Sequence, residues 1–496
     1  MPYINNIMKR IPLISGALAL SLLFGACDKN FEEINTDPNA ILRVTPDLLL
    51  PTVIRSSVNQ VMGDGWAIGN IVIQQTAKIQ FVNADRYIWG DQSGTWNGLY
   101  TALRDVNNLE QLAEASQQNN YKGISLVMKS WIYSVLTDTY GDVPYSEAIQ
   151  GKTAQQFTPA YDAQEQIYAG IIADLEEANT LLGSSGEVVV GDILYSGNIQ
   201  RWKKLANALH LRYLMRISGR QNVAQAMQAI LNDPTKYPLF ENNADNGALR
   251  YLAELPNQFP VHTYRVGSFD EFRLSKTLGD KLLNFQDPRI AIFARPTAAS
   301  ASSANPQYAG VPNGLDDVAA LNYNGGVQNI SRVGALYFEN AISDRGLEVA
   351  RGYIMAYPEL QFILAEAASK GLISGNSAQS YYENGIRAAF DMVDTEMPSA
   401  YLTREGVAFQ QNRASELIGT QKWIGLFFTG MEAWFDWRRT GYPQLQAGPS
   451  NQNNNRIPVR FAYPLSEQSQ NATSRAAAVS RQGADDINTP VWWDHN

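Results

Sequence analysis

The chain has 496 residues, enough for about three domains of ordinary size or one large one with its own core. Apolar residues make up 45% and charged residues 18%, with 24 Tyr, 18 Phe and 10 Trp, which excludes a disordered, fibrous or polytopic chain. Acids outnumber bases by 48 to 39 and no window carries a basic, aromatic-interleaved stripe, so nucleic acid is not an expected partner.

At the N-terminus, Lys9 and Arg10 precede an uncharged apolar run over residues 11–26, the pattern of a signal peptide. The run falls short of the roughly 20 residues that span a bilayer, and it lacks the polar face of a surface helix. It ends Leu22-Leu23-Phe24-Gly25-Ala26-Cys27, which resembles the lipobox of bacterial lipoproteins. Cys27, the only cysteine, is therefore the expected lipidation site, and acyl chains contribute about 0.8 kcal/mol per buried CH₂ to membrane attachment. The expected organisation is a lipoprotein signal peptide over 1–26, lipidated Cys27 and tether over 27–46, and one domain over 47–496.

One cysteine permits no intramolecular disulfide and no CxxC site, and His210, His262 and His495 lack HExxH spacing. GxSxG, Walker A and GxGxxG motifs are also missing from the sequence. No cofactor or metal is implied, although loop carboxylates and carbonyls can hold Ca²⁺ without a motif.

From about Leu48 onward the signal is amphipathic helix. Residues 95–115 place Leu99, Ala102, Leu103, Val106, Leu109 and Leu112 on one stripe, and residues 124–140 carry Val127, Trp131, Val135 and Leu136. Asp162-Ala163-Gln164-Glu165 reads as a capping box for a helix that stops at Gly183. Residues 198–218 bury Trp202, Leu205, Leu209 and Tyr213. Further helices are predicted over 360–370 with Pro358 in the first turn, over 378–393, and as one long helix over 415–439 closed by Gly441. Helix pairs joined by short turns predict a mainly α fold, a tetratricopeptide-like α-solenoid. Between about 240 and 343 the period is lost in a Pro-, Ser-, Asn- and Gly-rich stretch, read as a large loop-rich insertion of functional surface. The Trp492-Trp493 pair is expected to dock the chain end on the body.

Thr137-Asp138-Thr139-Tyr140-Gly141-Asp142-Val143-Pro144-Tyr145-Ser146-Glu147-Ala148 resembles a signature of the SusD/RagB nutrient-binding lipoproteins. Gly191-Asp192 with Tyr195, followed by Trp202 to Arg212 and Arg216, is similar to a second segment of that family, with Arg201 in a usual Lys place. Tyr357-Pro358-Glu359-Leu360 through Glu366, and Gln421-Lys422-Trp423 through Glu432 and Trp434 to Arg439-Thr440-Gly441, complete the series in the family's order. The resemblance implies an outer-membrane lipoprotein exposed on the cell surface, working with a SusC-like TonB-dependent transporter to which it delivers oligosaccharide or peptide. The signature tryptophans Trp202, Trp423 and Trp434 fall at helical spacing and read as scaffold, as does the Asp142 turn.

Binding residues are then expected among aromatics and arginines of the irregular parts, where flat rings meet sugar CH faces. The candidates are Trp66, Tyr87, Trp89, Tyr264, Arg265, Phe269, Tyr323 and Arg332, taken as a group because a buried loop anchor suits any one of them equally. Trp96 and Tyr100 are assigned to packing. Two other functions stay open. A glycoside hydrolase needs only two suitably spaced carboxylates, for which Asp270-Glu271 and Asp316-Asp317 are available. A tetratricopeptide-like protein-interaction scaffold needs no pocket.

Overall fold

Residues 44–252, 255–263, 270–337 and 351–494 are described by a computed structural model. The expected signal peptide, Cys27 and most of the expected tether lie outside these residues. The apolar stripes of the first half become α1 (Pro46–Asp64), α2 (Ser93–Ala115), α3 (Asn119–Tyr140), α4 (Gln164–Leu181) and α5 (Ile199–Ile217), each packed on the next. Only residues 116–118 join α2 to α3, so the two run antiparallel as a tetratricopeptide-like pair. After α6 (Ala224–Asn232) comes the irregular region, with α7 (Lys276–Asn284) inside it. The second half contributes α8 (Tyr357–Ser369), α9 (Ala378–Asp391), α10 (Ala414–Gly425), α11 (Glu432–Thr440) and α12 (Ala472–Gln482). Here α8 packs on α9, α10 and α5, which joins the two halves.

Strands form three antiparallel ribbons: β1 (Thr76–Lys78) with β5 (Phe272–Leu274), β2 (Val143–Pro144) with β3 (Tyr161–Asp162), and β4 (Gly247–Arg250) with β6 (Arg351–Met355). The protein is thus mainly α, as the periodicity predicts.

Local chemistry sets the helix ends. The Asn198 side chain caps α5 by accepting from the Arg201 N–H at 3.1 Å, and Gly441 ends α11 with φ 73°, a left-handed value that favours glycine. Two expectations are corrected. The Asp162 carboxylate does not cap its own helix, because it accepts from the Tyr145 and Ser146 N–H groups at 2.9 Å. Asp142 Oδ1 takes the Gln164 N–H instead, at 2.8 Å, so the signature turn caps α4 from outside. The long helix over 415–439 is broken between α10 and α11, where Phe428 and Gly430 take φ values of 60° and 75°. The break lets the Gly430 backbone lie against Gly65, where a Cβ added to Gly65 would sit 2.6 Å from Gly430 Cα.

Charges sit in the middle of this core. The Arg212 Nε of α5 donates to Glu359 Oε1 of α8 at 2.7 Å, and Arg216 pairs with Asp138 of α3 at 3.2 Å and with Glu432 of α11. Asp138 also accepts from the Tyr168 hydroxyl and the Trp493 Nε1, each at 2.6 Å, which docks the C-terminus. Arg439 bridges Glu366 and Asp436, while Lys422 holds Asp436 at 2.8 Å. Trp202, Trp423 and Trp434 are buried, and their indole N–H groups donate to Asp192, Ile73 O and Pro458 O.

Breaking a buried pair from one side leaves an uncompensated charge, whereas the pair itself contributes little net stability. Glu359→Gln keeps the side-chain volume and removes the nearer carboxylate of Arg212, leaving Glu432 at 4.0 Å and the Ile354 carbonyl, so an expected loss toward the lower end of about 3–5 kcal/mol should appear in urea unfolding.

Candidate functional site

The β1–β5 ribbon carries the irregular region onto the helical body, with Ala77 opposite Arg273 and Lys78 opposite Phe272. The Phe272 ring lies between Lys78, whose ammonium is 5.0 Å from the ring centroid, and Trp66, whose ring centroid is 4.3 Å away. Beyond the ribbon is a second, small apolar core of Ala77, Ile79, Val82, Val311, Ala320 and Ile330, with Tyr323 packed against it. Ile79 and Val82 sink into that core, while Phe81 between them is 72% exposed at φ 52°. Val318 and Val327 are also exposed here, and Asn324 and Asn329 exchange side-chain to carbonyl bonds at 3.1 and 2.9 Å. The result is a face with an outward aromatic ring, apolar spots and amides on a small core of its own.

A buried polar clamp fixes this face to the body. Asn313 Nδ2 donates to Asp85 Oδ1 and to the Thr76 carbonyl, both at 2.8 Å, and its Oδ1 accepts from Ser275 Oγ at 2.6 Å. Asp85 Oδ2 accepts the Lys78 N–H at 3.0 Å. Burial pushes the Asp85 carboxyl up to about 7, against which the Lys78 N–H and the Asn313 amide pull it down.

The structure redistributes the residues expected from sequence. Trp66 is 2% exposed, wedged between Phe272 and Phe428, and Tyr87 is 3% exposed with burial pushing its phenol pKa up. Half-buried Trp89 donates its Nε1 to the Ala84 carbonyl at 3.0 Å and sets its ring edge-on to Trp434 and Phe461. The rings of Trp66 and Tyr87 are thus packed into the core rather than presented at the surface. Trp66 anchors the chain before β1, and Tyr87 and Trp89 anchor it after β1. Tyr323 is half-buried on the small core, and Arg332 pairs with Asp270. Tyr264, Arg265 and Phe269 lie outside the described residues. Of the five described residues among the eight, Tyr323 and Arg332 come to the insertion as half-buried side chains, and among the described residues the ring exposed beside them is Phe81, which the sequence reading passed over. The available signal was a lone aromatic in Ile79-Gln80-Phe81-Val82, with no helical period.

The carboxylates considered for hydrolysis are engaged as follows. Asp270 holds Arg332, Glu271 holds Lys78 at 3.0 Å, and Asp316 caps a short helix by accepting from the Ala319 N–H at 2.8 Å, leaving Asp317 exposed. His210 is buried mid-helix, and desolvation lowers it to about 4. Among the described residues no group of His, Cys, Asp and Glu is arranged to hold a metal ion, and no helix is long and apolar enough to cross a membrane.

Residues 38–464 match the SusD-like family model described as starch-binding and associating with the outer membrane. A SusD homologue from Bacteroides fragilis has a similar structure, with TM-score 0.77 and 29% identity over 91% of this chain and 99% of its own. A chitin-binding protein is similar with TM-score 0.77 and 28% identity over 91% and 100% of the two chains. An outer-membrane protein from Bacteroides vulgatus, assigned to nutrient binding, gives TM-score 0.78 and 28% identity over 91% and 100%. No curated protein matches the chain. The chain belongs to the SusD-like family, a class of nutrient- and glycan-binding proteins associated with the outer membrane.

A carboxyl raised from 3.8 to about 7 by folding holds its proton more tightly in the native state, so its stabilising contribution is complete below pH 4 and is lost as pH rises to about 7. Asp85→Asn removes that dependence. Urea midpoints measured from pH 4 to 8 should show wild type losing ground to the variant across that window, by at most about 1.4 kcal/mol per pH unit. Parallel curves would mean that Asp85 titrates normally.

Proposed function

We propose that the protein captures a neutral glycan fragment on the insertion face around Phe81 and Tyr323 and delivers it, without catalysis, to a SusC-like TonB-dependent transporter. Lipidated Cys27 would hold it to the outer membrane, on the cell surface. The observation that carries the reading is the outward Phe81 ring among exposed apolar side chains and amides, on a chain that belongs to a starch-binding family. Among exposed Val318 and Val327 and the Asn324 and Asn329 amides, the Phe81 ring offers an apolar platform that suits a sugar's CH face, with hydrogen-bonding groups on the same small core. The likeness to a chitin-binding protein supports glycan over peptide. The partnered state of Asp270, Glu271 and Asp316 supports binding over hydrolysis, since none of the three is left as an unpaired acid facing solvent.

Calorimetry of the full chain in detergent against malto- and chito-oligosaccharides and small peptides, with the same mixtures assayed for cleavage, tests this. Phe81→Ala should weaken saccharide binding about tenfold, equivalent to about 1.4 kcal/mol. Trp66→Phe should lower the unfolding midpoint and leave affinity within about twofold, because its ring supports β5 rather than a ligand. Release of shorter sugars would overturn the non-catalytic reading, and peptide binding in place of saccharide would overturn the ligand class.

A further inference from the structure

Past the end of α11, residues 445–457 border with Trp437 of that helix an open, shallow cleft of about 440 Å³ lined by Trp437, Leu445, Gln446, Ala447, Asn455 and Ile457. A hollow of about 260 Å³ shares Trp437 and Leu445 with it and ends at Arg438 and Asp494. The larger volume lies within the range of small-ligand sites, roughly 300–1,000 Å³.

The lining is chemically selective. None of those six side chains is ionisable, so the lining itself offers a charged ligand no counter-charge. Trp437 Nε1 already donates to the Pro443 carbonyl at 3.1 Å, so what the half-buried indole offers a ligand is apolar ring surface. Leu445 and Ile457 extend that surface, and Gln446 and Asn455 stand exposed beside it.

Both amides are held by their backbones. The Gln446 carbonyl accepts from Gln74 Nε2 at 2.6 Å. Asn454 and Asn455 are both left-handed, at φ 53° and 57°, while Asn455 Oδ1 accepts from Asn451 at 2.8 Å. Two successive non-glycine residues in that region cost energy unless the surroundings fix them, and such strain clusters where a side chain must be aimed. Among the described residues Asn455 Nδ2 and the Gln446 side chain have no protein hydrogen bond, so both amides are available to a ligand. An apolar ring floor bordered by neutral planar amides complements a sugar, whose rings have CH faces and hydroxyl rims.

We infer that this cleft binds about one or two rings of a neutral oligosaccharide, as a second saccharide contact separate from the Phe81 face. The ligand class rests on the glycan reading above, and the site rests on its own geometry.

The test is ¹⁹F NMR of the full chain carrying 5-fluorotryptophan, with Trp437→Phe assigning the resonance and maltotriose, chitotriose and a charged tripeptide as probes. A saturable shift of the Trp437 signal is expected with a trisaccharide, persisting in Phe81→Ala. Gln446→Ala with Asn455→Ala, both at exposed positions, should weaken that shift's apparent affinity about tenfold, as expected for lost amide hydrogen bonds. A Trp437 signal that stays fixed while Phe81-dependent binding proceeds would overturn the second site and leave the proposed function standing. Silence of both sites toward every saccharide would sink both readings. A shift with the tripeptide alone would overturn the neutral-saccharide assignment.

Discussion

Everything else in the molecule is arranged around the buried contact of Arg216 with Asp138 and Glu432. Removing a guanidinium from water costs several kcal/mol, and the cost is offset only when all of its partners are seated. Those partners come from α3 and α11, near opposite ends of the chain, and the Phe435 and Trp493 rings lie 5.7 and 5.3 Å from the guanidinium carbon. The first helix pairs cannot bury Arg216 until the last helices arrive. Residues 46–496 accordingly group as one compact unit, although the length alone would allow three domains.

From this seam a short series of contacts leads to the candidate site. Glu432 opens α11 just after Gly430, whose backbone presses on Gly65, and the same turn carries Trp66 under Phe272 of β5. The β1–β5 ribbon then supports the small core from which Phe81 projects. A ring exposed on a loop is precise only if its support is rigid, and here the support traces back to an ion pair in the body. Asp85 and Asn313 make the last link, joining the insertion to the chain on either side of Phe81.

The sequence was most legible where burial demands a particular residue type. Asp138, Arg212, Arg216, Glu359, Glu366, Asp436 and Arg439 all fall within the segments that resemble the family, and all are members of the buried ionic system. Helix existence was likewise readable, because a stripe such as Leu99, Leu103 and Val106 answers only to local period. The break after α10 was not, since Leu426, Phe427 and Phe428 suit a helix and the contact that interrupts them is with Gly65, far away in sequence. The capping of α4 failed for the same reason: Asp162 has the right spacing, but the donors that claim it belong to another turn.

The candidate binding face was least legible, and the cause is directional. Trp66, Tyr87 and Trp89 follow Gly and Asp turns just as a platform would, yet a turn specifies a reversal of the chain and not which side faces water. Phe81 is outward because β1 pairs with a strand from the insertion and because its own φ is left-handed, neither of which is written in its neighbours. The loop behind α11 shows the same principle, for Ser450 N–H bonds to the Gly314 carbonyl at 2.8 Å and Arg86 Nε to the Ser450 carbonyl at 2.8 Å. Those bonds tie the Trp437 cleft to the insertion and to the segment carrying Phe81. A glycan long enough to touch both surfaces would be held more tightly than either contact alone allows, while each contact could still release singly. Such stepwise release would suit the proposed delivery to a transporter.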